Sequence, residues 1–465
     1  MASDDFRVIV MRCEAYDRDE IEGLVRNGMR VLGFRPRGKV FVKPNVVFAG
    51  DPEVFGTHAY TNPTLTEACV VALSQAGSTR RIDIGEKCAV GFPTRHCYRN
   101  AGYDKAVARA RKRASCKVGL HCMEEDLRDT VFVGGRVHDT LRLSRRLARA
   151  DVKVYLPKLK CHCVSNMTGA VKLNVGICSD DDRSIRHDFL LNEKIVDLLA
   201  VGWPDFIVMD AIDVGVGNEA FPYPRKLGLL LMGTNPIAVD LVGARLLGFE
   251  LDDVPYLRAA VDRGYRPGSI DDVALEGDIT SLSALDEHAK RLLPYDDAFT
   301  AWHDVHRELE RLGSPMRFRW GPYGATGGEL CKTGCVMGLK MFLASFERFS
   351  GPEAFAQAKP VTFVIGRQNE EVDGGGQDVF LLGSCARAEV RNAKHVVRID
   401  KCFTTASDMT MQIGHRLGMP SPLTQPAVSL PLVGDMARAA WRKTVGMRYL
   451  QDVGRFATKQ LIRRV

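Results

Sequence analysis

No apolar run in this chain of 465 residues approaches the roughly 18 that a membrane-spanning helix requires. The opening MASDDFRVIVMRCEAYD sets acids before its short apolar run and has no secretion-signal pattern, so a cytoplasmic protein is expected. Neither G-x-x-x-x-G-K-[ST] nor G-x-G-x-x-G after a strand occurs, which removes the phosphate cradles on which a bound nucleotide or flavin would be argued. An excess of either charge is missing outside the C-terminal end. Of the formal net charge of +7, residues 435–465 supply +6, eight Lys or Arg less two Asp. A nearly neutral body argues against a nucleic-acid partner.

What the chain does contain is 45% hydrophobic residues, enough for more than one core, and a length that fits two or three domains at roughly 150 residues each. Thirteen cysteines are scattered through it without a disulfide-scaffold pattern. They are expected to be thiols, some of them metal ligands.

The stretch 151–187, DVKVYLPKLKCHCVSNMTGAVKLNVGICSDDDRSIRH, organises the rest. A strand-like run, Val152 to Leu156, leads into a loop carrying Lys158, Lys160 and His162, then Thr168-Gly169, Lys172, Asn174 and Gly176, and finally Arg183, Arg186 and His187. The cations alternate with small and apolar residues instead of clustering, as a strand edge built to hold an anion would have them.

Further strands are predicted at Val40 to Val42, Arg81 to Gly85, Asp205 to Met209 and Leu229 to Met232. Asn62-Pro63 and Asn235-Pro236 each open a helix, closed by Gly77 and Gly248. Strands alternating with helices indicate an α/β fold, a mostly parallel sheet with helices on both faces. Ligands in such sheets sit beyond the carboxyl ends of the strands. Lys43, Asn45, Glu86, Lys158, Lys160, His162 and Asp210 are found there. Asp240, inside the apolar helix PIAVDLVGARLL, needs a partner for its carboxylate, and a structural salt bridge is one reading. The organisation expected is 1–285 for the α/β anion-binding domain, 286–320 for a helical connection, 321–425 for a second, smaller α/β domain carrying cysteines, and 426–465 for a basic tail.

In that second domain Cys331 and Cys335 are spaced C-x3-C, which predicts both thiols on one helical face. Cys385 ends one strand and Cys402 lies just past another. Gly327, Gly328, Gly334 and Gly383 would let backbone amides approach the sulfurs. Four thiolates fit either a [4Fe–4S] cluster or structural zinc. The paired C-x-x-C knuckles usual for zinc are missing, and C-x3-C-x2-C fails because position 338 is Gly. Cys161 and Cys163, flanking His162, are weaker ligand candidates.

These motifs carry a resemblance. Lys43-Pro44-Asn45, PKLKCH at 157–162, TGAVKLNVG at 168–176, Arg183 to His187, Asp210 and NPIAVD at 235–240 together resemble the family called domain of unknown function 362, over about residues 38–265. The resemblance implies cluster binding more firmly than a reaction, since family members often carry iron–sulfur modules. Where the pattern would end in Gly-Cys-Pro-Pro, this chain has Lys401-Cys402-Phe403-Thr404.

An iron–sulfur oxidoreductase is therefore the leading expectation. Lys160, His162, His187 and Asp210 are the catalytic candidates, the histidines for proton transfer. Lys43, Asn45, Lys158, Lys172, Arg183 and Arg186 are the candidates for holding an anionic small molecule. Two alternatives stand beside it: an electron-transfer or cluster-carrier protein without a substrate, and a lyase or hydratase using cluster or zinc as Lewis acid. A redox partner protein is an expected companion. For the tail, Pro420, Pro422, Pro426 and Pro431 predict a stiff connector over 420–431. A basic helix should follow, with Trp441, Val445, Tyr449, Val453 and Phe456 as an apolar stripe. Packing of that stripe on the protein's own body or on a second subunit is expected first, and contact with an anionic membrane surface second.

Overall fold

The computed structural model describes residues 5–293, 295–322, 331–421 and 424–451. Gly327, Gly328, Pro422, Val453 and Phe456, singled out above, lie outside the described residues.

Ten strands form the main sheet. Eight of them run across it in the order Ala274–Gly277, Arg7–Arg12, Tyr223–Gly233, Phe206–Val216, Val152–Leu156, Arg37–Pro44, Ser78–Glu86 and Lys117–Cys122. Neighbouring pairs are parallel except where Tyr223–Gly233 meets its two neighbours. Lys158–His162 and Asn166–Thr168 branch from the path, the former pairing with Phe206–Val216. The expected α/β architecture is what the chain adopts.

Alternation along the strands divides two cores. Val8, Val10, Ile207 and Met209 face one core, into which the helices Pro236–Leu246 and Leu282–Leu292 also pack. Ile9, Phe206 and Val208 face the other, shared with the helices Arg18–Val31, Pro63–Gln75 and Tyr103–Arg113. The Asn-Pro signals work as read: Asn62 and Asn235 accept first-turn N–H groups, and proline occupies the position whose N–H has no helical partner.

A second sheet of four parallel strands is ordered Arg317–Trp320, Val361–Arg367, Asp378–Arg387, His395–Ile399. It takes its edge strand from Arg317, upstream of 321. The helix Cys335–Ser350 buries Leu339, Phe342 and Phe346 against it.

Two local expectations are corrected. Cys331 and Cys335 do not share a helical face, because Gly334 sits at φ +56° and the helix begins only at Cys335. Residues 420–431 are not a non-helical connector throughout, since one helix runs Pro426–Val445 with Pro431 inside it. Pro431 is solvent-exposed, so the carbonyl it leaves without an N–H partner can turn to water. That helix is held to the body by the buried Asp435 carboxylate, which pairs with His96 at 3.0 Å and Arg99 at 2.6 Å.

Candidate functional site

The period of two along Lys158–His162 sends Lys158, Lys160 and His162 to one side of the strand, and Leu159 and Cys161 into the core on the other. Here lies a cavity of about 80 Å³ at the carboxyl ends of the strands. It is lined among others by Asn45, Glu86, Lys87, Lys158, Lys160, Lys172, Arg183 and Glu219.

Most of these cations are already matched. Lys43 lies under Gly176, fully buried, with Nζ 2.6 Å from Glu86 Oε1, and burial lowers its pKa. Lys158 donates to Asp210 at 3.0 Å and to the Tyr16 hydroxyl at 2.9 Å. Lys87 pairs with Asp180 at 3.0 Å. Lys160 spends two protons on the carbonyls of Ala59, at 2.5 Å, and Glu219, at 2.7 Å. Burial pushes Lys160 down to about 7, against the opposing pull of Glu219. Asn45 is fixed by its side-chain amide to Ala59 O at 2.9 Å.

Two donors are left over. Arg183 grips the carbonyls of Cys88 and Lys87 at 2.6 and 2.9 Å, while its Nε is buried without a partner among the described residues. Lys172 reaches the cavity from the turn Lys172–Ile177, and burial lowers it to about 8. No hydrogen bond or ion pair to another described residue ties down its ammonium. A buried N–H without an acceptor costs about 1–3 kcal/mol, and one beside a lysine in a cavity supplies the donors that an anion would require.

Asp240 positions this turn. Its carboxylate takes the N–H groups of Ala170 at 2.6 Å and Val171 at 3.0 Å, and burial raises it to about 7. Its partners are these two backbone amides and the Tyr256 hydroxyl at 3.3 Å, not a cation. Gly169 and Gly176 are required by space: a Cβ on the first would overlap Asp240, and on the second Glu86 Oε1 and Lys43 Nζ. Gly176→Ala is expected to destabilise the fold by about 1–3 kcal/mol through overpacking, read by urea denaturation. A loss under about 0.5 kcal/mol would mean that the turn yields and the cavity floor is soft.

His162 is buried beside the cavity rather than lining it. Its Nδ1 accepts the N–H groups of Val164 at 3.1 Å and Ser165 at 3.2 Å, so Nε2 carries the proton toward Glu219 Oε1 at 3.3 Å. Burial, then Lys172 and Lys160, hold its pKa well below 6.5. Among the described residues His162, Cys163 and Glu219 form a metal-type donor group, their ligand atoms within 4.8 Å of one another. With Nδ1 taken by two amides, a metal on Nε2 would require an imidazolate. The group closes more simply as hydrogen bonds onto Glu219. Asp210 is likewise saturated, by Lys158, Tyr16 and the N–H of Asn62 at 2.9 Å.

The remaining candidates lie on the far side of Arg183. Arg186 turns outward to Asp188 at 3.2 Å and over the Phe189 ring, and is not brought to the cavity. His187 is buried, stacked on Phe403 with centroids 4.4 Å apart, and its Nδ1 accepts from Lys194 at 3.0 Å. Burial and then Lys194 keep it well below the usual histidine range.

Phe403 belongs to the cysteine group. A Cβ on Gly334 would lie 3.2 Å from His187 O and 3.5 Å from Cys331 Sγ, and one on Gly383 2.9 Å from Cys335 Sγ and 3.8 Å from Cys385 Sγ. The Thr404 N–H donates to Cys335 Sγ at 3.2 Å. Cys385 and Cys402 both act electrostatically on Cys331 and Cys335. The four sulfurs thus share one neighbourhood that glycines leave open, and no three of them lie within 4.8 Å of one another. A single tetrahedral ion with bonds of about 2.3 Å would hold them within roughly 4 Å. A four-iron cube spaces its thiolates wider, so the donor set suits the cluster better.

Lys87, Glu219 and Lys194 belong to this site and were not singled out from the sequence. Lys87 follows the strand-end Glu86 and so carried a signal. Glu219 and Lys194 arrive from a loop and a helix with no motif around them.

Residues 40–245 match the family described as Domain of unknown function (DUF362). A thylakoid-associated protein of Synechocystis sp. is 25% identical over 278 residues, 56% of this chain and 80% of its own length. The lactate racemase apoprotein from Thermoanaerobacterium thermosaccharolyticum superposes with a TM-score of 0.35 at 10% identity, over 78% of this chain and 71% of that one. That likeness is too loose to carry an argument.

Proposed function

With residues 40–245 belonging to the DUF362 family, whose description assigns no reaction, we propose from the site itself an iron–sulfur oxidoreductase acting on an anionic small molecule. One observation carries the reading. The cysteine group packs on the segment 183–188, and Arg183 at the start of that segment lines the cation-rich cavity.

Cys331, Cys335, Cys385 and Cys402 would hold a [4Fe–4S] cluster, which when bound supplies single-electron transfer. Lys172 Nζ and Arg183 Nε–H would bind a carboxylate or phosphate. Lys160, lowered to about 7, is suited to hold or release a proton at Nζ. Burial of Lys160, Glu219 and Arg183 keeps bulk water from the anion. Cys402 is exposed, which gives a redox partner access to the cluster edge. A reducing, cytoplasmic setting suits thirteen unpaired cysteines.

Anaerobic purification followed by iron, acid-labile sulfide and zinc analysis tests the proposal, with electron paramagnetic resonance after dithionite reduction. Iron and sulfide in equal amounts with a reduced-state signal are expected. Zinc without sulfide would sink the redox reading and leave a structural ion.

A further inference from the structure

The helix Pro426–Val445 turns its apolar side away from the protein. Asp435 and Ala439 are buried against the body, and Val428 and Leu432 lie half-buried beside them. The opposite side carries Leu430, Val433, Ala437, Trp441 and Thr444, at spacings of three or four, and every one is exposed. Leu430 is 69% exposed, Val433 60% and Trp441 68%. Of the expected stripe, the described members Trp441, Val445 and Tyr449 are exposed and do not pack on the protein's own body.

We propose that this outward face seats on the surface of an anionic lipid bilayer. Charge decides the occupant. Between 426 and 451 the single acid is Asp435, and its side chain is buried between His96 and Arg99. Arg438, which also reaches back to Asp435 at 3.8 Å, and Arg442 stand exposed along one flank of the stripe. Beyond it the sequence adds Arg455, Lys459, Arg463 and Arg464 against Asp452. A second copy of this chain would bring identical patches together about a two-fold axis and set these arginines near their own kind. Anionic headgroups meet them with the opposite sign, and Trp441 offers an apolar ring with a polar N–H, suited to the interface. The inference stands independently of the redox reading.

The test uses full-length protein sedimented with phosphatidylcholine vesicles, with and without phosphatidylglycerol, at low and high salt. Binding is expected only to the anionic vesicles, weakened by salt, with a blue shift of the Trp441 fluorescence. Leu430→Ser with Trp441→Ser should lower partitioning by about tenfold or more, and Arg438→Glu with Arg442→Glu by a similar factor. Unchanged circular dichroism and melting would show that both variants fold, Asp435 being left in place. Equal binding to neutral vesicles overturns the proposal. So does an absence of binding, whether the light-scattering mass is that of one chain or a doubled mass that Trp441→Ser abolishes, the latter giving the face to a second copy.

Discussion

Asp210→Ala is expected to destabilise the protein by about 3–5 kcal/mol, because it strands an ammonium in the interior. The Lys158 and Asp210 side chains are 1% and 0% exposed, with Nζ and Oδ2 3.0 Å apart. The same carboxylate takes the Tyr16 hydroxyl at 2.9 Å and the N–H of Asn62 at 2.9 Å, and Asn62 caps the helix Pro63–Gln75. Alanine leaves three donors facing an emptied space and one of them charged. Urea denaturation reads the loss. Lys158→Met with Asp210→Leu should recover most of it, since replacing both ions by apolar groups removes the charge along with its partner. A single-variant loss below about 1 kcal/mol would mean that water reaches Lys158 and the pair is not a buried ionic anchor. Asp210 was expected to act as a catalytic group. Its saturated geometry makes it the anchor that holds Lys158 at the cavity wall.

That reassignment shows what kind of information the sequence carries. Strand ends and Asn-Pro helix starts are local signals, and each led to the right element, whereas Lys158–His162, expected as a loop, is itself a strand. Which cation is matched is a tertiary question. Lys43, Lys158 and Lys172 look alike along the chain, yet the first two are paired with Glu86 and Asp210, while the third has no ion pair among the described residues and feels Glu219 only at longer range. Nothing in the sequence separates Lys172 from the others. The partners come from distant strand ends, and Glu219 comes from a loop with no motif around it. His162 is a related case. It reads as a proton-transfer group, and only the two backbone amides on Nδ1 reveal that Nε2 holds the proton, turned toward Glu219. The tail erred for another local reason: four prolines read as a connector, whereas Pro426 sits at the helix start where proline costs nothing, and the helix continues through Pro431 despite an interior cost of about 3 kcal/mol.

The unmatched lysine sets the pH dependence of the cavity. Burial lowers Lys172 to about 8, against the opposing pull of Glu219. An anion needs the ammonium form, so binding should be strong below pH 8 and weaken as pH rises through it. The slope approaches about tenfold per pH unit where one proton is taken up with the ligand. Stability of the unliganded chain runs the opposite way. An unfolded lysine titrates near 10.4, so between about pH 8 and 10 the unfolded chain binds more protons at this position and folding gains with rising pH. Sulfate, which keeps its charge over this range, is the probe, followed by isothermal titration calorimetry from about pH 6 to 10. Lys172→Met removes a charge-assisted bond worth about 2–3 kcal/mol, roughly a 30- to 150-fold loss of sulfate affinity at neutral pH. It should also erase the limb above pH 8, leaving only the weaker change near 7 that belongs to Lys160. Sulfate affinity that stays level from pH 7 to 10 in the unaltered protein would place the anion somewhere other than against Lys172.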